Sequence, residues 1–153
     1  MPFLVDGNNL IGLTRGLKLR DDKSQLSIVQ RICAYQRRKG GRYTVFFDGE
    51  SQGGRALRDS KLGGVTIRFS GHGVSADESI KRLLRRAAHP REYTVISSDR
   101  QLAIECQHLG SHLMNCTDFN REMEHLRSEP LQRWEKTPSA AEVEEWLKIF
   151  GDQ

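Results

Sequence analysis

The sequence predicts an α/β fold in which five parallel strands alternate with helices. Short apolar runs at 3–5, 43–47, 65–69, 93–97 and 111–115 are rich in β-branched or aromatic residues. The segments between most of them repeat apolar residues at helical spacing. Three of the runs also finish in a carboxylate: Phe3-Leu4-Val5-Asp6, Thr44-Val45-Phe46-Phe47-Asp48 and Thr94-Val95-Ile96-Ser97-Ser98-Asp99. At 153 residues, 37% apolar and 29% charged, the chain has the size of one ordinary domain with a real core.

The elements follow in order. Between the first two runs, Ile28, Val29, Ile32 and Cys33 draw an apolar stripe over residues 24–39, and Gly40-Gly41 stops it, which predicts a crossover helix. Residues 49–64 show no period but carry glycines with Arg55, Arg58 and Lys61, the pattern of a mobile basic loop. After the third run, Ser75 and Glu78 have capping-box spacing, so a helix starts near Ala76. Its Ile80, Leu83, Leu84 and Ala87 face inward, with Lys81, Arg82, Arg85 and Arg86 on the other side. Leu102, Ala103 and Cys106 mark a further helix ended by Gly110, and a short helix after Thr117-Asp118 follows the fifth run. Residues 128–153 are a connector and a last amphipathic helix. Its Val143, Trp146, Leu147 and Phe150 fall at i, i+3, i+4 and i+7, a stripe that must be buried on the domain, on a protein partner or on a second copy. The helix is capped by Ser139 with Glu142, or by Thr137 with Pro138 in its first turn.

Ligands of open parallel sheets bind beyond the carboxyl ends of the strands, where the strand order reverses. If the first and fourth strands are neighbours there, about 4.8 Å apart, Asp6 and Asp99 are close enough to share a cation, and Asp77 approaches from its helix. Asp48 ends the second run in the same way. Such repulsion is relieved by a hard ion such as Mg²⁺ or Mn²⁺. Each acid also has a purely structural reading: Asp6 and Asp99 as helix caps, Asp48-Gly49 as a turn, Asp77 as complement to a helix dipole, Glu78 as part of its box. Four acids at one topological position, in a chain rich in arginine, exceed what capping needs. Asp6 and Asp99 are the foremost candidates, then Asp77, then Asp48, with Glu78 last. Asn8, Asn9, Ser97 and Ser98 are placed to orient carboxylates or a phosphate, with Asn9 the supporting candidate of the two amides, and Arg100 to contact a strand of substrate or to pair with a neighbour.

Residues 1–100 hold 19 Lys/Arg against 10 Asp/Glu, while residues 101–153 hold 5 against 10. The basic part is the part with the carboxylates, which suits a polyanion, although a solvated charged face gives the same count. Cys33, Cys106 and Cys116 are far apart and read as small buried hydrophobes, which argues against disulfides and zinc. His108 and His112 are separated by Gly110 and do not make a helical zinc pair. With a strand at Phe3 and no apolar span of roughly 20 residues, a cytoplasmic protein without membrane segments is expected.

The string Leu4-Val5-Asp6-Gly7-Asn8-Asn9-Leu10-Ile11, with Phe47-Asp48-Gly49, Ser75-Ala76-Asp77-Glu78-Ser79-Ile80 and Ser97-Ser98-Asp99-Arg100, resembles the YacP-like branch of the NYN family within the PIN-type nuclease superfamily. The match in order and spacing covers residues 3–118. The resemblance implies a PIN-like three-layer fold with strand order 3-2-1-4-5, spanning residues 1–127. It also implies metal-binding acids at Asp6, Asp77 and Asp99, with Asp48 less securely placed, and the asparagine of the first motif at Asn9. Members are metal-dependent ribonucleases or suspected ones, and the branch includes an endoribonuclease that acts on messenger RNA at the ribosome. Two features depart from the branch: Asn8 stands where an aromatic residue is common, and the Trp-bearing last helix lies outside the matched core.

The expectation is therefore an endoribonuclease that cuts single-stranded RNA with Mg²⁺ or Mn²⁺ and leaves 5′-phosphate and 3′-hydroxyl ends. Arg55, Arg58, Lys61, Lys81, Arg82, Arg85, Arg86 and Arg100 are the residues to grip the phosphates. One rival is a non-catalytic RNA-binding module of an RNA-decay or ribosome-associated complex. The other is a phosphoacceptor signalling domain, which the lack of a lysine in the fifth run opposes.

Overall fold

The computed structural model describes residues 2–19, 21–49 and 60–128. Over these the chain forms β1 (Pro2–Asp6), α1 (Gly7–Gly12), α2 (Asp22–Lys39), β2 (Arg42–Phe47), β3 (Ser60–Leu62), β4 (Val65–Phe69), α3 (Ala76–Arg86), β5 (Thr94–Ile96), α4 (Arg100–His108), β6 (His112–Met114) and α5 (Cys116–Ser128), with a 3₁₀ turn at Pro90–Glu92. The sheet order is β3-β4-β2-β1-β5-β6. All pairings are parallel except that of β3 with β4. With β3 set aside, the five expected strands stand in the order 3-2-1-4-5.

Because side chains alternate across a strand, the apolar residues divide between two faces. Val5, Val45, Phe47, Ile67 and Ile96 meet Leu10 and Ile11 of α1, Ile28, Val29 and Ile32 of α2, and Phe119 and Met123 of α5. Leu4, Phe46 and Val95 point the other way, against Ile80 and Leu84 of α3 and Leu102 and Cys106 of α4. The result is three layers, helices on both sides of a sheet whose central strands read as continuous apolar runs. Each fully buried Leu, Ile or Phe contributes about 1.5–3 kcal/mol, so both helical layers are held chiefly by these contacts. All three cysteines are free and buried, as expected of small hydrophobes.

Several sequence readings change. The sheet has six strands rather than five, because the last part of the region read as a basic loop forms β3. Gly63, at φ +62°, turns β3 back onto β4, and Leu62 is buried. A three-residue strand is too short to show a period, and Gly63-Gly64 is the hairpin signal that marked it. Residues 50–59, with Arg55 and Arg58, lie outside the described residues, as do the connector and last helix from residue 129 onward. The helix after the fifth run is not short: α5 has 13 residues and starts at Cys116, where the Asn115 side chain accepts from the Asp118 N–H at 2.8 Å. Asn115 was counted with the strand, which hid its capping role. Helix α2 starts at Asp22, capped by Asp21, a little before the apolar stripe.

Gly7 lets α1 leave the sheet directly at the end of β1. A Cβ at this position would lie 2.6 Å from the Phe47 ring and 2.7 Å from the Phe46 carbonyl oxygen. The ring is fully buried and the carbonyl belongs to a sheet strand, so neither can yield cheaply. Gly7→Ala is expected to cost about 1–3 kcal/mol, measured by urea unfolding; an unchanged midpoint would contradict this packing.

Candidate active site

Strand β1 is flanked by β2 on one side and β5 on the other, with Val5 level with Ile96 and Asp6 level with Phe46. The chain builds outward from β1 to β2 and β4, then crosses to β5 and β6, so the order reverses between β1 and β5. A ligand crevice forms at such a point. Asp6 ends β1, Asp48 follows β2, Asp99 follows β5, and Asp77 lies in the first turn of α3. Asp6 alternates with Leu4 and therefore belongs to the sheet face that carries α3 and α4.

Hydrogen bonds tie these carboxylates to the strand ends. Asp6 is buried, at 4% exposure. Its Oδ1 accepts from the Asn9 N–H at 3.3 Å and its Oδ2 from the Ser97 hydroxyl at 3.0 Å. The Ser97 oxygen in turn accepts from the Asp99 N–H at 3.1 Å, which joins the ends of β1 and β5. Asp99 Oδ1 caps α4 through the N–H groups of Gln101 and Leu102, at 3.0 and 3.2 Å. Asp48 Oδ1 accepts from the Ala76 N–H at 2.6 Å and so holds the start of α3. The capping readings of Asp6 and Asp99 are thus correct, but capping occupies only Oδ1 of each.

The four acids sense one another. Burial, then the charge of Asp77, push the Asp6 carboxyl up to about 7; Asp48 adds to this, while the Ser97 and Asn9 hydrogen bonds pull back. No cation is among those causes. Asp77 is also raised, by burial first, then by the neighbouring Asp99 carboxylate and by Asp48; Lys81 opposes. An all-oxygen, like-charged donor set in a partly buried crevice suits a hard divalent cation. Among the described residues, however, no three His, Cys, Asp or Glu side chains close into a ready cage. Several of their oxygens are held by N–H and O–H groups instead.

The supporting residues sort clearly. Asn9 Oδ1 accepts from the Ser98 N–H at 2.7 Å and from the Cys116 thiol at 3.2 Å, and the Ser98 hydroxyl accepts from the Cys116 N–H at 2.9 Å. Both residues fix the β1–β5–α5 junction. Asn8, Ser97 and Cys116 belong to the same network. Ser97 had a signal in its position between strand and Asp99, and Asn8 in its place beside Asn9 at the turn after β1; the long-range partner of Cys116 left none. Glu78 stands apart: its carboxylate pairs with Lys81 at 3.2 Å and Arg85 at 3.4 Å, and it is not among the groups that shift Asp6 or Asp77. Ser75 does cap α3, accepting from the Glu78 N–H.

Of the basic residues, Lys81 bridges α3 to α4 through Glu105 at 2.7 Å, so its ammonium is engaged. Arg82 and Arg85 are exposed and reach Glu78. Lys61, Arg86 and Arg100 are exposed, and Arg86 and Arg100 make no ion pair among the described residues.

The model of the YacP-like NYN domain family matches residues 3–148, and so runs past the core motifs into the stretch where the sequence predicts a last helix. Two solved structures are similar. The crystal structure of Rae1 (YacP) from Bacillus subtilis is 26% identical, with 83% of this chain and 75% of that one covered at a TM-score of 0.62. A tryptophan-to-leucine mutant of the same protein is 25% identical, with 98% and 92% covered at 0.64. No curated protein matches the sequence.

The raised carboxyl of Asp6 has a definite sign. Its folded value of about 7 lies above the unfolded one, so its contribution to stability is full below about 4 and is lost as pH rises through 7. Asp6→Asn keeps an acceptor and removes the charge. In EDTA, its stability relative to wild type is expected to climb by a few kcal/mol, on the order of 1.4 per pH unit, between pH 4 and 7 and then level off. Urea unfolding across that range checks it, and a difference independent of pH would contradict it.

Proposed function

Since the chain belongs to the YacP-like NYN domain family, a family of RNase-like nuclease domains, we propose that it is a metal-dependent endoribonuclease acting on single-stranded RNA. The observation that carries this reading is the acidic sheet edge, where a buried Asp6 is raised to about 7 by desolvation and by neighbouring carboxylates with no cation in compensation. Asp6, Asp77 and Asp99, with Asp48, would hold Mg²⁺ or Mn²⁺. When bound, such an ion supplies Lewis-acid polarisation of the scissile phosphate and of the attacking water.

The chain's own residues do the remaining work. Ser97 fixes the rotamer of Asp6 and the backbone of Asp99 together, so these two acids move as a unit. Asn9 and Ser98 lock the same junction to α5. Lys61, Arg82, Arg85, Arg86 and Arg100, together with Arg55 and Arg58 outside the described residues, hold the phosphates, which gives affinity with little sequence choice. Lys81 contributes mainly by joining α3, and with it Asp77, to α4. The products expected are 5′-phosphate and 3′-hydroxyl ends. Messenger RNA on the ribosome, in the cytoplasm, is the substrate setting we favour, and no helix among the described residues is long and apolar enough to cross a membrane. The last helix is proposed to pack its aromatic stripe on the domain, on a protein partner or on a second copy.

A second reading has one observation in its favour: no closed metal cage stands among the described residues. A non-catalytic RNA-binding module would keep the fold and the basic residues without needing one.

Cleavage of generic single-stranded RNA with Mn²⁺, Mg²⁺ and EDTA separates the two. Wild type is expected to cut with either metal and to stop in EDTA. Asp6→Asn with Asp99→Asn should lower the rate by at least about a hundredfold while RNA binding persists. Binding without metal-dependent cutting by wild type, including on ribosome-bound messenger RNA, would favour the module. Arg86→Ala with Arg100→Ala should weaken RNA binding and reduce its salt dependence by about two phosphate contacts, read as the slope of log affinity against log salt; an unchanged slope would remove these two residues from the interface.

A further inference from the structure

Strand β1 turns into α1 at Gly7, yet its neighbours run on. Beyond the last rung of the ladder, the N–H groups of Asp48 after β2 and Ser98 after β5 lose the main-chain carbonyls they would otherwise meet. Two consecutive side chains replace those carbonyls. Asn9 Oδ1 takes the Ser98 N–H at 2.7 Å, and Asn8 Oδ1 takes the Asp48 N–H at 2.8 Å. The two amides therefore extend β1 by one side-chain rung on each flank.

The rung on the β2 side leads to Asp48, whose neighbours Phe47 and Gly49 are tied to Ser70 and Gly71 on the β4 side. Asp48 is exposed and follows the last residue of β2, next to Gly49 at φ +80°. Its Oδ1 accepts the Ala76 N–H at 2.6 Å, and Asp77 is the next residue. A continuous relay thus runs from Asn8 through the backbone of Asp48 and its carboxylate to the first turn of α3. We infer that Asn8 is a positioning residue that sets Asp48, and through it Asp77, within the acidic cluster. An aliphatic side chain cannot accept that N–H, so a chain with such a residue at this position must hold its second strand end by other means.

The inference rests on the proposed function for its catalytic meaning, and two readouts keep the two apart. In the full-length chain, Asn8→Leu removes the acceptor, whereas Asn8→Asp keeps it. Hydrogen exchange followed by NMR should show the Asp48 and Ala76 amides losing about tenfold or more of their protection in the leucine variant and keeping it in the aspartate variant. The Ser98 amide, held by Asn9, should be unchanged in both. Calorimetric titration with Mn²⁺ should show affinity about tenfold weaker for Asn8→Leu, and no weaker than wild type for Asn8→Asp. Cleavage by the leucine variant should lose kcat at an unchanged KM for RNA while the aspartate variant keeps it, with rates normalised to the folded fraction of each variant, since partial unfolding also lowers kcat without moving KM.

Full protection of Asp48 in Asn8→Leu, or equal loss in both variants, would overturn the positioning role. So would Mn²⁺ affinity equal to wild type in the leucine variant. Wild type without Mn²⁺ affinity would overturn the proposed function itself, while the exchange protection of Asp48 and Ala76 alone would still decide whether Asn8 sets Asp48. Should the leucine variant fail to fold, Asn8→Ala carries the same readings.

Discussion

The burial of one carboxylate governs the end of this sheet. Asp6 is fixed in place because β1 is the central strand and α1 must begin where it ends. The flank of α1 is fixed by Gly7 against Phe47 and Phe46. No arginine or lysine answers the charge that results. Desolvation of a carboxylate is offset here only by one hydroxyl and one N–H, and the nearest further groups are other carboxylates. A fold selected for stability alone would place an uncharged cap at this position, since asparagine and serine cap helices as well as aspartate does. The charge is therefore the costly part of the design, and cost of this kind gathers where chemistry is done.

Much of the architecture was legible because burial on both faces writes itself into composition. The central strands read as apolar runs, and the 3.6-residue stripes of α2 and α3 predicted their inward faces. Legibility failed where an element was short or where its signal was a single polar residue. Strand β3 has three residues and only the Gly63-Gly64 turn to announce it. Helix α5 was foreshortened because Asn115 looked like strand rather than cap. The positions of Asp6, Asp48, Asp77 and Asp99 at one sheet edge could be argued from topology. Which hydrogen bonds hold them could not, since each bond joins residues far apart along the chain, as Asn8 with Asp48 and Ser97 with Asp6.

The same distinction separates two kinds of residue around the acids. Ser97, Ser98, Asn8 and Asn9 carry no charge and each satisfies an N–H or carboxylate left over where strands stop and helices start, while the Cys116 thiol donates to the Asn9 side-chain oxygen. Glu78, ranked last among the acids because its capping-box spacing already accounted for it, pairs with the cations of its own helix, Lys81, Arg82 and Arg85. Lys81, read as a phosphate contact, also braces α3 on α4 through Glu105. Family membership and the acidic edge thus point to one chemistry from independent directions, one through sequence pattern and the other through electrostatics.

We propose that a bound dication relieves the like charge gathered at this edge. The most direct test is the melting temperature of the wild-type chain as Mn²⁺ is titrated at constant ionic strength, with NaCl as the control. A site of this kind should raise the melting temperature in proportion to the logarithm of Mn²⁺ concentration once the dissociation constant is passed, because the ion binds the folded state alone. A melting temperature indifferent to Mn²⁺ and Mg²⁺ up to millimolar concentrations would contradict the account.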